Sequence, residues 1–311
     1  MTLTVRLGDL ALRNPVCLAS GTCGFGRELD DLLPLHELGG LFSKAVTPEP
    51  RAGNSMPRLA ETEHGLLNSI GLANPGLEAF CRDKLHYLRG LDTAVFVNVA
   101  GRTAEDYLTV CRRLQELEDE AGPTAGALAG IELNVSCPNV KEGGISFGAR
   151  PGPLGELVAR VRAVWRGRLL VKLTPQTADV AEQARAAEAA GADGLSLINT
   201  IPGMSIDLRT RRPRTVTNTS GYSGPAIRPV AVAQVYQAAR AVRLPVVGMG
   251  GIQSGCDVAE FLLAGASAVQ VGTASFAQPD AARRILAEFE AWLEREGVAT
   301  AAELVGAVRP W

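Results

Sequence analysis

The chain has 311 residues, 46% of them hydrophobic and 21% charged, with a formal net charge of −2. That length suits two small domains or one α/β barrel of about 250 residues. The near-neutral balance gives no electrostatic case for nucleic acid or an anionic membrane surface. No run of about 18 apolar residues exists to span a membrane. The first ten residues, MTLTVRLGDL, lack the charged-then-apolar layout of a signal peptide, so a cytoplasmic location is expected. Cys17, Cys23, Cys81, Cys111, Cys137 and Cys256 form no CxxC pair, and the histidines His36, His64 and His86 are scattered. Reduced thiols and no metal site are expected.

Along the chain, TVRLGDLALRNPV reads as a hairpin, Val5–Leu7 and Leu10–Leu12 turning at Gly8-Asp9, that closes one end of the fold. Strand candidates follow at Pro15–Ser20, Gly40–Thr47, Ala94–Ala100, Gly130–Pro138, Leu169–Pro175, Gly194–Thr200, Pro245–Gly251 and Ala268–Thr273. Helical segments such as Ala104–Glu120, Gly155–Trp165, Ala178–Ala190, Pro229–Val242 and Gly255–Ala264 lie between them. Eight nearly continuous apolar strands with crossover helices argue for a parallel sheet buried on both faces. The count of eight favours a closed (β/α)8 TIM barrel over an open sheet. Long loops are expected after strands 2, 4 and 6, with Thr47–Gly76 and Ile201–Pro225 the longest; loops of such length are usually functional. No linker or longer repeat appears, so residues 1–311 are read as a single domain.

The carboxyl ends of the strands, where a barrel's active site lies, supply Ser20-Gly21, Lys44, Asn98, Asn134 with Cys137, Lys172, Asn199-Thr200, Gly250-Gly251 and Gly272-Thr273. Glycines after strands 7 and 8 let backbone N–H groups approach a phosphate. Only four residues are lysine, and Lys44 and Lys172 both sit in apolar, strand-like runs. Where arginine is the default cation, such a lysine suggests a need for a compact point charge. Lys172 suits either a Schiff base or a cation beside the N1–C2=O edge of a flavin. Asn98 and Asn134 add amides suited to a planar ring with carbonyls and ring nitrogens, which favours flavin mononucleotide over a sugar phosphate. On the other side, Lys44 and LLNSIGLANPG (Leu66–Gly76) provide Asn68 and the backbone around Gly71. With Asn134, Asn199 and Thr200 they form an amide-rich cage under one cation, suited to a pyrimidine-like ring bearing a carboxylate.

The stretch IELNVSCPNVKEGG carries one thiol, Cys137, followed by Pro138. Without a partner histidine in the motif it is poorly set for acyl transfer. It is better set to take a proton from carbon, with Ser136 or a water carrying that proton away. Cys17, Cys81, Cys111 and Cys256 are read as small core residues, Cys23 as packing near the site, and His64 as a residue near the mouth.

The motifs ASGT, SKAVTPEPR, NSIGLANPG, ELNVSCPN, VKLTP, LINTIPGM, SGPAIRPVA, GMGGI and QVGTASF, in this order from about Leu7 to about Phe276, resemble class 1 dihydroorotate dehydrogenases. The resemblance implies a flavin barrel that oxidises (S)-dihydroorotate to orotate in pyrimidine biosynthesis. Cys137 is then the base for the C5 proton, while the C6 hydride goes to the flavin. It implies orotate contacts from Lys44, Asn68, Ser69, Ile70, Gly71, Leu72, Asn134, Asn199 and Thr200. It implies flavin mononucleotide contacts from Ser20, Lys44, Ala45, Asn98, Asn134, Lys172, Ile198, Gly224, Gly250, Gly251, Gly272 and Thr273. The quinone-linked class has serine as base and an added N-terminal segment, whereas this sequence has Cys137 and shows no such segment. INTIPGMSIDLRTRRP and GYSGPAIRPVA resemble the NAD-linked 1B subclass, a homodimer joined into a heterotetramer with a subunit carrying FAD and a 2Fe–2S cluster. Neither a cysteine cluster nor a GxGxxG occurs here, so electrons bound for NAD would leave through that partner. The stand-alone fumarate-linked subclass shares the same first half-reaction and is the alternative. Tyr222 departs from the small residue or methionine expected there, and its ring is expected to alter the loop above the flavin.

Overall fold

A computed structural model describes residues 1–121, 126–135 and 147–311. Eight parallel strands close into a barrel: β1 (Val16–Leu18), β2 (Gly40–Phe42), β3 (Ala94–Val99), β4 (Gly130–Asn134), β5 (Leu169–Lys172), β6 (Gly194–Leu197), β7 (Val246–Met249) and β8 (Ala268–Val271). Each strand pairs with its successor, and Val269↔Val16 closes the ring. The strands are shorter than the apolar runs, because residues such as Lys44 and Thr200 belong to the connections that leave the barrel. Pro151–Arg162, Val180–Ala189, Arg228–Ala241 and Gly255–Ala264 are helices within a residue or two of the expected segments at most ends, though the first starts four residues early, at a proline. Proline is tolerated there because the first turn needs no N–H donor.

Alternation along the strands divides the barrel interior into two zones. Phe42 stacks on Phe96, ring centroids 4.6 Å apart, and fills the amino half. Polar side chains occupy the carboxyl half: Asn98, Glu132, Ser196 and Gln270 are all buried. The amino end is covered as expected. Val5–Leu7 pairs with Leu10–Leu12, and Arg168, just before β5, donates to Asp9 Oδ1 at 2.5 Å.

The two longest connections are not simple loops. Leu59–Thr62 and Gly65–Asn68 form a hairpin in the first; Ile201–Gly203 and Ser220–Ser223 lie in the second. Together they make one four-stranded antiparallel sheet, with Asn68 opposite Gly221 and Leu67 opposite Tyr222. Sequence periodicity missed this sheet, since its strands have three or four residues and pair across about 150 positions. The connection after β4 runs largely through residues 136–146, outside the described residues.

Candidate active site

Barrel strands and the antiparallel sheet enclose a cavity of about 590 Å3 at the carboxyl end of the barrel. That volume lies within the roughly 300–1,000 Å3 of small-molecule sites. The sheet supplies one wall through Leu59, Leu66, Asn68 and Gly221. Asn68 Nδ2 donates to Gly221 O at 3.1 Å, which ties the two insertions together at the cavity edge.

One group of expected residues lines this wall and the mouth: Lys44, Asn68 to Leu72, Asn134, Asn199 and Thr200. Leu72 has a φ of +58°, a conformation that costs a non-glycine residue about 1 kcal/mol or more, and Gly71 before it has +75°. The pair folds the backbone of this turn against the cavity. The Ser69 hydroxyl is buried there with no hydrogen-bond partner among the described residues, a polar atom left for a ligand.

The second group lines the same cavity: Ser20, Ala45, Asn98, Lys172, Ile198, Gly250, Gly251, Gly272 and Thr273. Gly250 has φ +132° and Gly251 +77°, and a Cβ on Gly251 would meet Gly224 O at 2.7 Å. Glycine is therefore required for the backbone to turn at this end of β7. Thr273 Oγ1 donates to Ser223 Oγ at 2.8 Å, joining the end of β8 to the sheet.

Gly224 adjoins the cavity wall between Ser223 and Gly251: a Cβ on it would meet Gly65 Cα at 2.7 Å, and its carbonyl stands against Gly251. Tyr222 lies in the antiparallel sheet formed by the two long connections: its ring packs over Gly65 and its hydroxyl lies 3.4 Å from Thr62 Oγ1. His64 sits at the outer turn of the hairpin with 70% of its side chain exposed, away from the cavity. His36 and His86 are on the surface.

Of the cysteines read as core, Cys17 and Cys111 are buried, but Cys81 is half-buried and Cys256 is exposed at the first turn of Gly255–Ala264. Burial holds the Cys17 and Cys111 thiols near a pKa of about 12. Cys23 is a packing residue: it is buried, its Sγ donates to Phe42 O at 3.2 Å, and burial raises its pKa to about 12. Cys137, with Ser136 and the rest of its loop, lies outside the described residues.

Behind Lys172 and Asn98 runs a buried polar network that centres on a residue not singled out from the sequence. Glu132 of β4 is wholly buried. Its Oε1 accepts from Ser196 Oγ at 2.7 Å and from Gln270 Nε2 at 2.9 Å. Its Oε2 accepts from Asn98 Nδ2 and lies 3.9 Å from Lys172 Nζ. Lys172 Nζ in turn donates to Ser20 Oγ at 3.0 Å, and Tyr107 holds Asn134 by donating to its carbonyl at 2.9 Å. The signal was available in ELN: Glu132 has the parity of Asn134, so both face the barrel interior.

The donor set suits a flavin mononucleotide. A cation and two amides suit a ring edge rich in carbonyls and ring nitrogens, and the glycine turns after β7 and β8 suit a phosphate. Gln270 Oε1, in the same wall, is buried without a partner among the described residues. No group of three metal-ligating side chains occurs among the described residues, and no helix there is long and apolar enough to cross a membrane.

Comparison with known proteins agrees in family. The family model described as dihydroorotate dehydrogenase matches residues 2–293. A Pelobacter propionicus protein named dihydroorotate dehydrogenase B (NAD(+)), catalytic subunit, is 49% identical over 98% of both chains. A Solibacter usitatus protein, named as a candidate dihydroorotate dehydrogenase A (fumarate), is 50% identical over 99% of this chain and 98% of its own. Among solved structures, the Eimeria tenella dihydroorotate dehydrogenase in complex with ferulenol superposes with a TM-score of 0.78, covering 98% of this chain and 88% of that one. At 22% identity that likeness speaks for the barrel fold. A match over nearly the whole length, together with relatives near half identity, makes this chain a member of the dihydroorotate dehydrogenase family.

Proposed function

We propose that this chain, as one domain, oxidises (S)-dihydroorotate to orotate in pyrimidine biosynthesis with flavin mononucleotide as its cofactor. The observation that carries the reading is the convergence of two residue sets on one cavity. Lys44, Asn68, Asn134, Asn199 and Thr200 line it together with Lys172, Asn98 and the glycine turns. A flavin bound there supplies the acceptor for the substrate's C6 hydride. Ser20, Lys172 and Asn98 would hold its ring, and Gly250, Gly251, Gly272 and Thr273 its phosphate.

The protein's own residues do the rest. The Lys44 ammonium pairs with the substrate carboxylate, while the asparagine amides donate and accept around the ring and fix its face. Such fixing converts an encounter into a reaction between held partners, which lowers the entropic part of the barrier. Cys137 takes the C5 proton, an assignment that rests on its motif. The antiparallel sheet covers the cavity and keeps water from the reacting atoms.

The name of the Pelobacter propionicus relative supports a catalytic subunit whose electrons go on to NAD+. In that arrangement a homodimer of this chain joins a second subunit carrying FAD and a 2Fe–2S cluster, in the cytoplasm. The Solibacter usitatus relative favours a second reading, fumarate as acceptor without a partner. Anaerobic titration with dihydroorotate tests the first half-reaction: flavin absorbance near 450 nm should bleach. Turnover with NAD+ only when the second subunit is added supports the first reading; turnover with fumarate by the chain alone supports the second. No bleaching overturns both.

A further inference from the structure

We propose that Glu132 is a positioning residue, the buried counter-charge that holds Lys172 and Asn98 toward the cavity and sets the potential felt by the cofactor ring. The inference rests on the flavin reading above and deepens it.

A carboxylate taken out of water is costly unless it is hydrogen-bonded and paired. Glu132 meets both conditions with side chains from four other strands: Asn98 from β3, Lys172 from β5, Ser196 from β6 and Gln270 from β8. The three hydrogen bonds all point toward the carboxylate, and the ammonium lies 3.9 Å away, a pattern that an anion accepts. A barrel interior can be filled with apolar side chains, as the Phe42–Phe96 stack fills the other half. An acidic residue here needs a reason beyond packing.

Orientation gives the reason. Lys172, Asn98 and Gln270 line the cavity, whereas Glu132 does not. The pair therefore turns its cationic end toward the ligand and hides its anionic end behind it. Lys172 has two fixed neighbours, Ser20 Oγ at 3.0 Å and the Glu132 carboxylate, which together aim a flexible four-carbon side chain. Asn98 Nδ2 is occupied by Glu132, so the Asn98 carbonyl oxygen is the atom turned to Asn134 Nδ2, 3.5 Å away. One carboxylate thus orients both side chains and offsets most of the lysine charge at the ring.

The sign of the electrostatic effect follows. Glu132→Gln leaves the Lys172 cation uncompensated and favours the electron-rich reduced cofactor. Lys172→Gln leaves the Glu132 anion uncompensated and disfavours it. The double variant is neutral, as the wild-type pair is, and contains no unpaired buried charge, so it folds even where a single variant does not.

The test is an anaerobic redox titration of the flavin mononucleotide-loaded wild type, both single variants and the double. The expected result for Glu132→Gln is at least a tenfold gain in reduced over oxidised cofactor, about 30 mV positive for a two-electron couple. Lys172→Gln should move the other way, with the double between them. A Glu132→Gln protein with lowered thermal stability but unchanged potential overturns the proposal. So does a double variant whose potential equals that of Lys172→Gln. If one single variant fails to fold, the double is compared with the other, and equality again overturns it. Wild-type protein that takes up no flavin sinks both this proposal and the functional reading. Wild-type flavoprotein that dihydroorotate does not reduce sinks the functional reading alone, and the potentials still decide the role of Glu132.

Discussion

Glu132 and Lys172 face each other inside the barrel with 0% and 6% of their side chains exposed, carboxylate and ammonium 3.9 Å apart. Breaking such a pair from one side leaves a buried charge without its partner, which typically costs about 3–5 kcal/mol. Lys172→Met in flavin-free protein should lose about 3 kcal/mol, the low end, because three hydrogen-bond donors remain on Glu132. Urea unfolding measures the loss. Adding Glu132→Gln to the same protein should recover most of it, and a loss that persists would show that packing of the lysine stem matters more than its charge.

The turn after β7 is a second place where one residue type is required. A Cβ at Gly251 would lie 2.7 Å from Gly224 O, and the φ of +77° is costly for any L side chain. Gly251→Ala should lower stability by about 2 kcal/mol from backbone strain and the forced shift. It should also weaken flavin mononucleotide retention at least tenfold on gel filtration while circular dichroism stays that of a barrel. Gly224→Ala should follow the same pattern, since Gly224 backs Gly251 and its own Cβ would meet Gly65 Cα at 2.7 Å.

Asn68 spans cavity and sheet, its amide nitrogen 3.1 Å from Gly221 O. Asn68→Ala removes this tie and, on the reading proposed above, one polar contact to the substrate. A lost hydrogen bond of this kind is worth about 0.5–1.5 kcal/mol, so orotate affinity should fall about tenfold with the barrel intact. Titration of the flavin spectrum with orotate reads the change. An unchanged Kd would return Asn68 to a purely structural role.

Three buried thiols should shape the alkaline limb of the stability curve. Cys17, Cys23 and Cys111 each have a pKa raised to about 12 by burial, against an ordinary 9.0 for the thiol. Above pH 9 the unfolded chain releases these protons while the folded protein keeps them, so stability is full below pH 9 and falls as pH rises toward 12. Each thiol contributes a slope of about 1.4 kcal/mol per pH unit across that window. Unfolding measured from pH 8 to pH 11 should steepen accordingly, and Cys17→Ala with Cys111→Ala should flatten it. Equal slopes in both proteins would mean that other groups dominate.

Sequence made the barrel legible because each strand buries both faces and so reads as an unbroken apolar run. Lys172, Asn98 and Asn134 stood out as polar endings to such runs. Glu132 did not, because Ile131 and Leu133 flank it and carry the apolar run past it; only its shared parity with Asn134 marks it as inward-facing. The antiparallel sheet was hidden for a different reason. Its pairing of Asn68 with Gly221 depends on where β2 and β6 deliver their connections, which no local pattern encodes. The contact of the Tyr222 ring with Gly65 depends on the same long-range pairing.

Cys23 and Cys137 are the two thiols whose roles the flavin reading sets apart. Cys23 is buried, donates to Phe42 O at 3.2 Å, and has a pKa of about 12, so near neutral pH it holds its proton and cannot serve as a base. Cys137 is the base proposed above from its sequence motif, SCPN. Cys137→Ser should therefore slow flavin reduction by dihydroorotate at least a hundredfold at pH 7, the scale of a lost general base. Raising the pH should restore part of the rate, because the weaker hydroxyl base gains as the solution becomes more alkaline. Cys23→Ser should leave the reduction rate within about twofold while lowering stability by about 1–3 kcal/mol, the effect of a polar atom set into a buried packing position. Stopped-flow bleaching at several pH values separates the two, and a fast Cys137→Ser protein would move the base to another residue of the site.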